Sequence, residues 1–333
     1  MAKTYVSFDI GSNSVKMAVC SGGRVLRLAT GETPDNLIKE GRIVSPETMA
    51  EFIRETAKRN RINVSNCAVV IPPSLTYCKP VTIPAMSREN LHINLPYEFR
   101  DFITQEKDKY FYDYAVINTQ LDENGAPAQF ELVAAAVLKE TIASYTAMFR
   151  RAGFRLKIAV PEEIAYMNIL RKYRESAGEA VPGDIGFIEL GHTATRMFIY
   201  HGLRPEATRV IEAGGINLDQ AIADSAGVDE HIARAYKHAN GHGELSSEVS
   251  VNIYQTISMD IVRAINFYGF NVPDSRLEDV FICGGGASVT ELINRLREDL
   301  PLRIHHISEM FPKAAAKQAD LAVCQTAIGA VLY

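Results

Sequence analysis

One short pattern occurs twice in this chain. Phe8–Val19 reads FDIGSNSVKMAV and Ile188–Ile199 reads IELGHTATRMFI. Each runs acid, aliphatic, glycine, small or polar residues, a cation, Met, and then apolar residues. A duplicated unit constrains architecture before any element is assigned, because each copy takes an equivalent place in its own half of the fold. Each copy predicts a β-hairpin, an apolar strand ending on the acid, a tight glycine turn and a returning strand. At such a turn glycine lets the backbone approach a ligand closely, and successive N–H groups form a concave nest for an anion. Gly11, Ser12, Asn13, Ser14 and Lys16 in the first copy, and Gly191, His192 and Thr193 in the second, are therefore candidate phosphate contacts. Asp9 and Glu189 would stand beside that phosphate. Like charges repel, so a cation must lie between them, and hydrated Mg²⁺ held through water is the usual one. Two ordinary hairpins with solvent-facing acids are the alternative for either copy alone. One copy in each half favours a shared cleft.

The remaining composition narrows the partners. At 333 residues the chain is long enough for about two domains, and its 47% hydrophobic and 23% charged residues describe an ordinary globular protein. A net charge of −5 without a basic block argues against nucleic acid and against direct electrostatic binding to a membrane. The longest apolar run, Leu132–Leu138, falls far short of the roughly 20 residues a membrane span needs. Cys20, Cys67, Cys78, Cys283 and Cys324 show no CxxC spacing and read as small core residues in a reducing, cytoplasmic compartment.

More glycine turns follow. In DVFICGGGASVTELINRL a buried-type strand passes through Gly284, Gly285 and Gly286 into a helix, with Ser288 and Glu291 spaced as a capping box. Backbone donors with little side-chain bulk suit an anion or a flat base there. Gly214 and Gly215 form a second pair. A helix then ends near Gly227, and another, capped by Asp229, carries Lys237 towards a ribose, a base or water. His238 and His242 with Glu244 have metal-like spacing, but the intervening Ala-Asn-Gly breaks the helix. His305 and His306 alternate on a strand.

The ordered set DIGSNSVK, ELGHTAT, EAGGINL, ICGGGAS and the closing ADLAVCQTAIGAVLY resembles the actin, Hsp70 and sugar-kinase superfamily of nucleotide-binding proteins, over essentially the whole chain. The resemblance implies an α/β, duplicated ribonuclease H-type fold with two lobes around a cleft for ATP and Mg²⁺. It makes the first two segments the phosphate loops and the triple glycine part of the adenosine pocket. Two helices would interlock between the lobes, one starting near Glu163 and one around Gly329. Glu162 and Glu163, at the head of the first, match the polar residue that orients an attacking water, so with Asp9 and Glu189 they are the candidate catalytic groups.

Between Pro84 and Phe154, alternation and then helical periodicity give helix, strand, strand, helix, a small α+β subdomain inserted in the first lobe. An insertion there resembles the bacterial actin-like proteins FtsA, of cell division, and PilM, of type IV pilus assembly. NLPYEFRDFI, YFYDYAVI and VAAAVLKETIASY look most like the PilM family. The implied layout is a first-lobe core at 1–83, the insert at 84–154 and the first connecting helix within 155–182. A second-lobe core follows at 183–215, a small helical subdomain at 216–254, core with the adenosine motif at 255–310, and the second connecting helix at 311–333. FtsA continues into a membrane-binding helix, whereas this sequence stops at Tyr333, so no such anchor is expected.

The resemblance further implies a cytoplasmic, ATP-binding scaffold at the inner face of the cytoplasmic membrane. Its partner would be the cytosolic N-terminal peptide of a bitopic, PilN-like inner-membrane protein, with a pilus assembly ATPase and self-association as further options. Tyr97, Phe99, Tyr112 and Tyr114 on the insert are candidate peptide anchors, or core packing. Two departures bear on chemistry. Glu189 stands where aspartate is usual, and Arg234 replaces the glutamate that commonly precedes Lys237 by three residues. The first bears on hydrolysis and the second on ribose recognition, since a cation there would contact phosphate or face water. The site reads as one that binds nucleotide without turning it over quickly, at most a slow ATPase. An FtsA-like division protein, and a small-molecule kinase or exopolyphosphatase on the same fold, are the other readings.

Overall fold

The computed structural model describes residues 3–39, 41–177, 183–241, 243–272 and 275–332. His242, Tyr333 and the end of the expected first-lobe segment at 178–182 lie outside them.

Apolar alternation builds the first hairpin, β1 (Thr4–Ile10) and β2 (Ser14–Ser21), followed by β3 (Arg24–Glu32). A two-stranded ribbon of β4 (Ile38–Lys39) and β5 (Arg42–Ile43) leads to α1 (Pro46–Arg59). Ser45 Oγ accepts from Thr48 N–H at 3.4 Å, and Pro46 fits the first turn, where its missing donor is not needed. Strand β6 (Asn66–Ile71) then pairs parallel to β1.

The insert follows as β7 (Thr76–Pro84), α2 (Arg88–Glu98), β8 (Tyr110–Leu121), β9 (Pro127–Leu138) and α3 (Lys139–Arg151). The helix, strand, strand, helix order matches expectation, but the insert's sheet starts before Pro84, because β7 pairs with β9. Pro80 within β7 argues against a strand in sequence. It is tolerated because β7 is at the edge of the β7–β9–β8 sheet. Helix α3 also does not stay with the insert: Phe149 lies 4.9 Å from Phe8 ring to ring, in the core that includes Met49 and Ile53.

Strand β10 (Arg155–Pro161) returns to the first sheet and α4 (Glu162–Ala177) leaves it. The second half repeats the plan with β11 (Asp184–Leu190), β12 (Thr195–His201), β13 (Arg204–Ile211), α5 (Gly215–Ala226), α6 (Glu230–Ala239) and α7 (Glu248–Asn271). It closes with β14 (Leu277–Cys283), α8 (Thr290–Asp299), β15 (Arg303–His306) and α9 (Gln318–Gly329). Among the described residues the sheets run β10–β6–β1–β2–β3 and β13–β12–β11–β14–β15, so hairpin and parallel strands hold the same places in both. The registers agree as well: Asp9 faces Lys16, and Glu189 faces Arg196.

Helices α4 and α9 pack together between the sheets. Tyr166 of α4 is fully buried, with ring centroids 4.9 Å from Phe187 and 4.6 Å from Phe198. Asn168 Nδ2 donates to Gly329 O at 3.0 Å, and a Cβ on Gly329 would run into the carbonyl of Ala165. Burying a side chain of this size contributes about 1.5–3 kcal/mol, so the joint is a cohesive core and not a linker. The proposed capping box before α8 does not form. Ser288 Oγ donates to Gly285 O at 2.8 Å, within a short 3₁₀ turn, and Glu291 instead accepts from Ser246 at 3.4 Å.

A phosphate-type cleft between the two hairpins

The two hairpin tips face one cleft of about 840 Å³. Its lining includes Gly11, Ser12, Asn13, Ser14 and Lys16 from the first tip, and Glu189, Gly191, His192 and Thr193 from the second. Gly214, Gly215, Lys237, Gly284, Gly285 and Gly286 join them, so sequence-distant candidates converge on a single space. Glu162 and Glu163 sit at the head of α4, both buried, and neither they nor Asp9, which lies beneath the first tip, are among the lining residues.

Local bonds hold each tip open. Gly11 N–H donates to Ser14 O at 3.1 Å, and Thr33 Oγ1 donates to Gly11 O at 2.8 Å. In the second tip Gly191 N–H donates to Ala194 O at 3.1 Å, and Gly215 N–H reaches Gly191 O at 3.0 Å. The triple glycine divides by role. Gly284 has a φ of +84°, and a Cβ on Gly286 would lie 2.7 Å from Leu190 Cβ, so these two let the turn press onto the second hairpin. Gly285 meets nothing within 4 Å and presents bare backbone to the cleft.

Beneath the tips lies a charge network. Lys16 Nζ is 3.2 Å from Asp9 Oδ2, and Thr326 Oγ1 of α9 donates to the same oxygen at 2.8 Å. Burial alone would lower the Lys16 pKa, but Asp9 and Glu189 outweigh it and hold it above the ordinary lysine value. Arg196 Nη1 is 3.2 Å from Glu189 Oε2 and 3.8 Å from Glu162 Oε1. Burial first, and then the charge of Glu189, push the Glu162 carboxyl well above its usual range. Glu163 is raised by burial too, and its Oε2 has no hydrogen-bond partner.

The far side of the cleft is also cationic, and Lys237 is not a solvated helix lysine. It pairs with Asp219, a fully buried carboxylate on α5, and donates to Gly215 O at 3.4 Å. Arg234 Nε contacts the same carboxylate at 3.3 Å, while its Nη1 reaches Glu32 of the first half at 3.2 Å. Four contributors were absent from the sequence candidates: Arg196, Asp219, Thr326 and Glu32. Only Arg196 left a signal, as the cation aligned with Lys16 in the repeat. Among the described residues no cluster of three or more His, Cys, Asp or Glu side chains is placed to hold a metal alone.

The insert's aromatics lie away from the cleft. Phe99 is fully buried in the subdomain core, so it packs and offers no surface. Tyr97 is exposed, and Tyr112 and Tyr114 are half-buried against that core.

A family model described as type IV pilus assembly protein PilM matches residues 7–323. The chain belongs to the PilM family. A structure of a PilM–PilN type IV pilus biogenesis complex superposes with a TM-score of 0.77 at 20% identity, covering 98% of this chain and 96% of that one. The ethanolamine utilization protein EutJ from Carboxydothermus hydrogenoformans gives 0.60 at 14% identity, covering 99% and 90%. MreB 5 of Spiroplasma citri bound to AMPPNP gives 0.55 at 12% identity, covering 98% and 94%. No curated protein matches the sequence. The PilM family member thus has the actin-like α/β fold, and among its described residues no helix is long and apolar enough to cross a membrane.

Proposed function

We propose that this PilM family member is an ATP-binding scaffold of a type IV pilus assembly platform, recruited to the inner face of the cytoplasmic membrane by the cytosolic N-terminal peptide of a PilN-like partner. The observation that carries the nucleotide half is the convergence of both hairpin tips, two cations and the bare Gly285 backbone on one cleft. The residues fit a nucleoside triphosphate. The tips offer backbone donors, Lys16 and Arg196 offer positive charge, and the glycine turn leaves room for a flat base. They fit Mg²⁺ only with the phosphates present. Asp9 and Glu189 would hold it through water, with phosphate oxygens completing the shell. When bound, Mg²⁺ neutralises charge between carboxylates and phosphates.

Slow turnover fits the placement of Glu162. A general base must reach the attacking water, yet this carboxyl lies off the cleft lining, beside Arg196, in surroundings that favour its protonated form. For the partner half, support comes from β8. Among the described residues β8 pairs with β9 alone, leaving a free edge that exposes Phe111 and Val116, with Tyr97 and Phe102 exposed nearby in sequence. An extended peptide can add to such an edge and seat alternate side chains on the aromatics. The MreB relative holds a nucleotide analogue and the PilM relative comes from a complex with PilN, which agrees with both halves.

Calorimetric titration with ATP tests the nucleotide half. Mg²⁺ is expected to strengthen binding, Gly11→Val to abolish binding and Asp9→Ala to remove the gain from Mg²⁺, while circular dichroism stays unchanged. Equal affinity in all three proteins would contradict the site. Hydrolysis or phosphoryl transfer at about 1–10³ s⁻¹ would favour an enzyme over a scaffold. Titration with N-terminal peptides of candidate membrane partners tests the other half, with Tyr97→Ala expected to weaken it.

A further inference from the structure

Three acidic side chains lie under the hairpin tips: Asp9, Glu162 and Glu189. The last two are 5% and 6% exposed. An unscreened floor of this kind would repel a polyphosphate, which is why a divalent cation is expected there. Arg196 changes that balance. It stands between Glu189 and Glu162, and among the described residues its polar contacts to both run through Nη1, at 3.2 and 3.8 Å. Among the described residues Nε and Nη2 make no hydrogen bond, on a side chain that lines the cleft and is 29% exposed. A guanidinium offers donors in a planar fork that matches phosphate oxygens, so one end can stay on the carboxylates while the other faces the ligand. Lys16 holds the equivalent place on the first hairpin, paired with Asp9, but is a compact point charge without that planar fork.

Resting on the nucleotide reading above, we propose that Arg196 lets this cleft hold a nucleoside triphosphate without a divalent cation, by screening the buried carboxylates and donating to phosphate oxygens through Nε and Nη2. Mg²⁺ then adds to affinity and is not a condition of it.

Calorimetry with ATP, in Mg²⁺ and in EDTA, tests this on the wild-type chain, on R196K, and on the double variant E162Q/R196Q. The double exchange also replaces one of the two buried carboxyl groups that loss of Arg196 would leave without their cation, and thermal melting verifies that the fold persists. Wild type is expected to bind in EDTA within about tenfold of its Mg²⁺ affinity, one charge-assisted contact's worth. The double variant is expected to lose about 10–100-fold in EDTA and to regain most of that with Mg²⁺, with R196K in between. Wild-type binding that vanishes in EDTA but is normal in Mg²⁺ overturns the proposal and leaves the nucleotide cleft standing. Unchanged EDTA affinity in both variants overturns it as well. Absence of ATP binding in either buffer overturns the cleft reading itself, and the proposal with it.

Discussion

Leu190 is where residue-scale chemistry is most exacting, since Gly284 and Gly286 both press against it while Gly285 between them faces open space. Adding one methyl group should therefore do opposite things at neighbouring positions. Gly286→Ala is expected to cost about 1–3 kcal/mol in urea unfolding, because its Cβ has no room without moving Leu190. Gly285→Ala should leave the unfolding midpoint unchanged and act only on ATP affinity. From sequence the triplet reads as a turn beside a ligand. Which glycine packs and which faces the cleft depends on a hairpin nearly a hundred residues away in the chain. The cysteines were more legible, being small apolar residues without metal spacing. Burial pushes the Cys20, Cys67 and Cys324 thiols up to about 12. The thiolate is the reactive form, so alkylation at pH 8 should spare these three in the folded protein and reach them after denaturation, as mass spectrometry would count.

Helices show what periodicity says and leaves unsaid. The pattern of α3 announces an apolar face without naming its core, and the structure turns Tyr145, Met148 and Phe149 towards Phe8 of the first sheet, not towards the insert. The joint between α4 and α9 was foreseeable only through family resemblance, since nothing local in ADLAVCQTAIGAVLY says that Gly329 meets Ala165. Gly329→Ala is expected to cost about 3 kcal/mol, because its Cβ meets backbone that no rotamer change can clear. Asn168→Ala, which removes a side-chain donor from the Gly329 carbonyl, should cost about 1 kcal/mol. Chemical denaturation of both variants verifies the order. If the two cost the same, the close crossing is not what holds the joint.

Across the whole molecule, the halves also touch at the cleft mouth. Glu32 meets Arg234 at 3.2 Å and Asp35 meets His231 at 3.4 Å, with Arg234 and His231 one turn apart on α6. Glu32, Asp35 and His231 are mostly exposed, so such pairs contribute about 0–1 kcal/mol and are weakened by salt. The E32A/D35A variant should melt within a few degrees of wild type, yet release a bound fluorescent nucleotide analogue faster in stopped flow. Unchanged release would mean that the mouth does not control exit. The duplication, the two hairpins and the glycine turns were legible in the chain alone, because they follow from local periodicity and from residues with few backbone options. Folding was needed to pair Asp9 with Lys16, to set Arg196 between two buried glutamates, to give Asp219 both Lys237 and Arg234, and to make Phe99 core. Burial and charge pairing depend on which distant elements meet, and that is set when the two sheets close on α4 and α9.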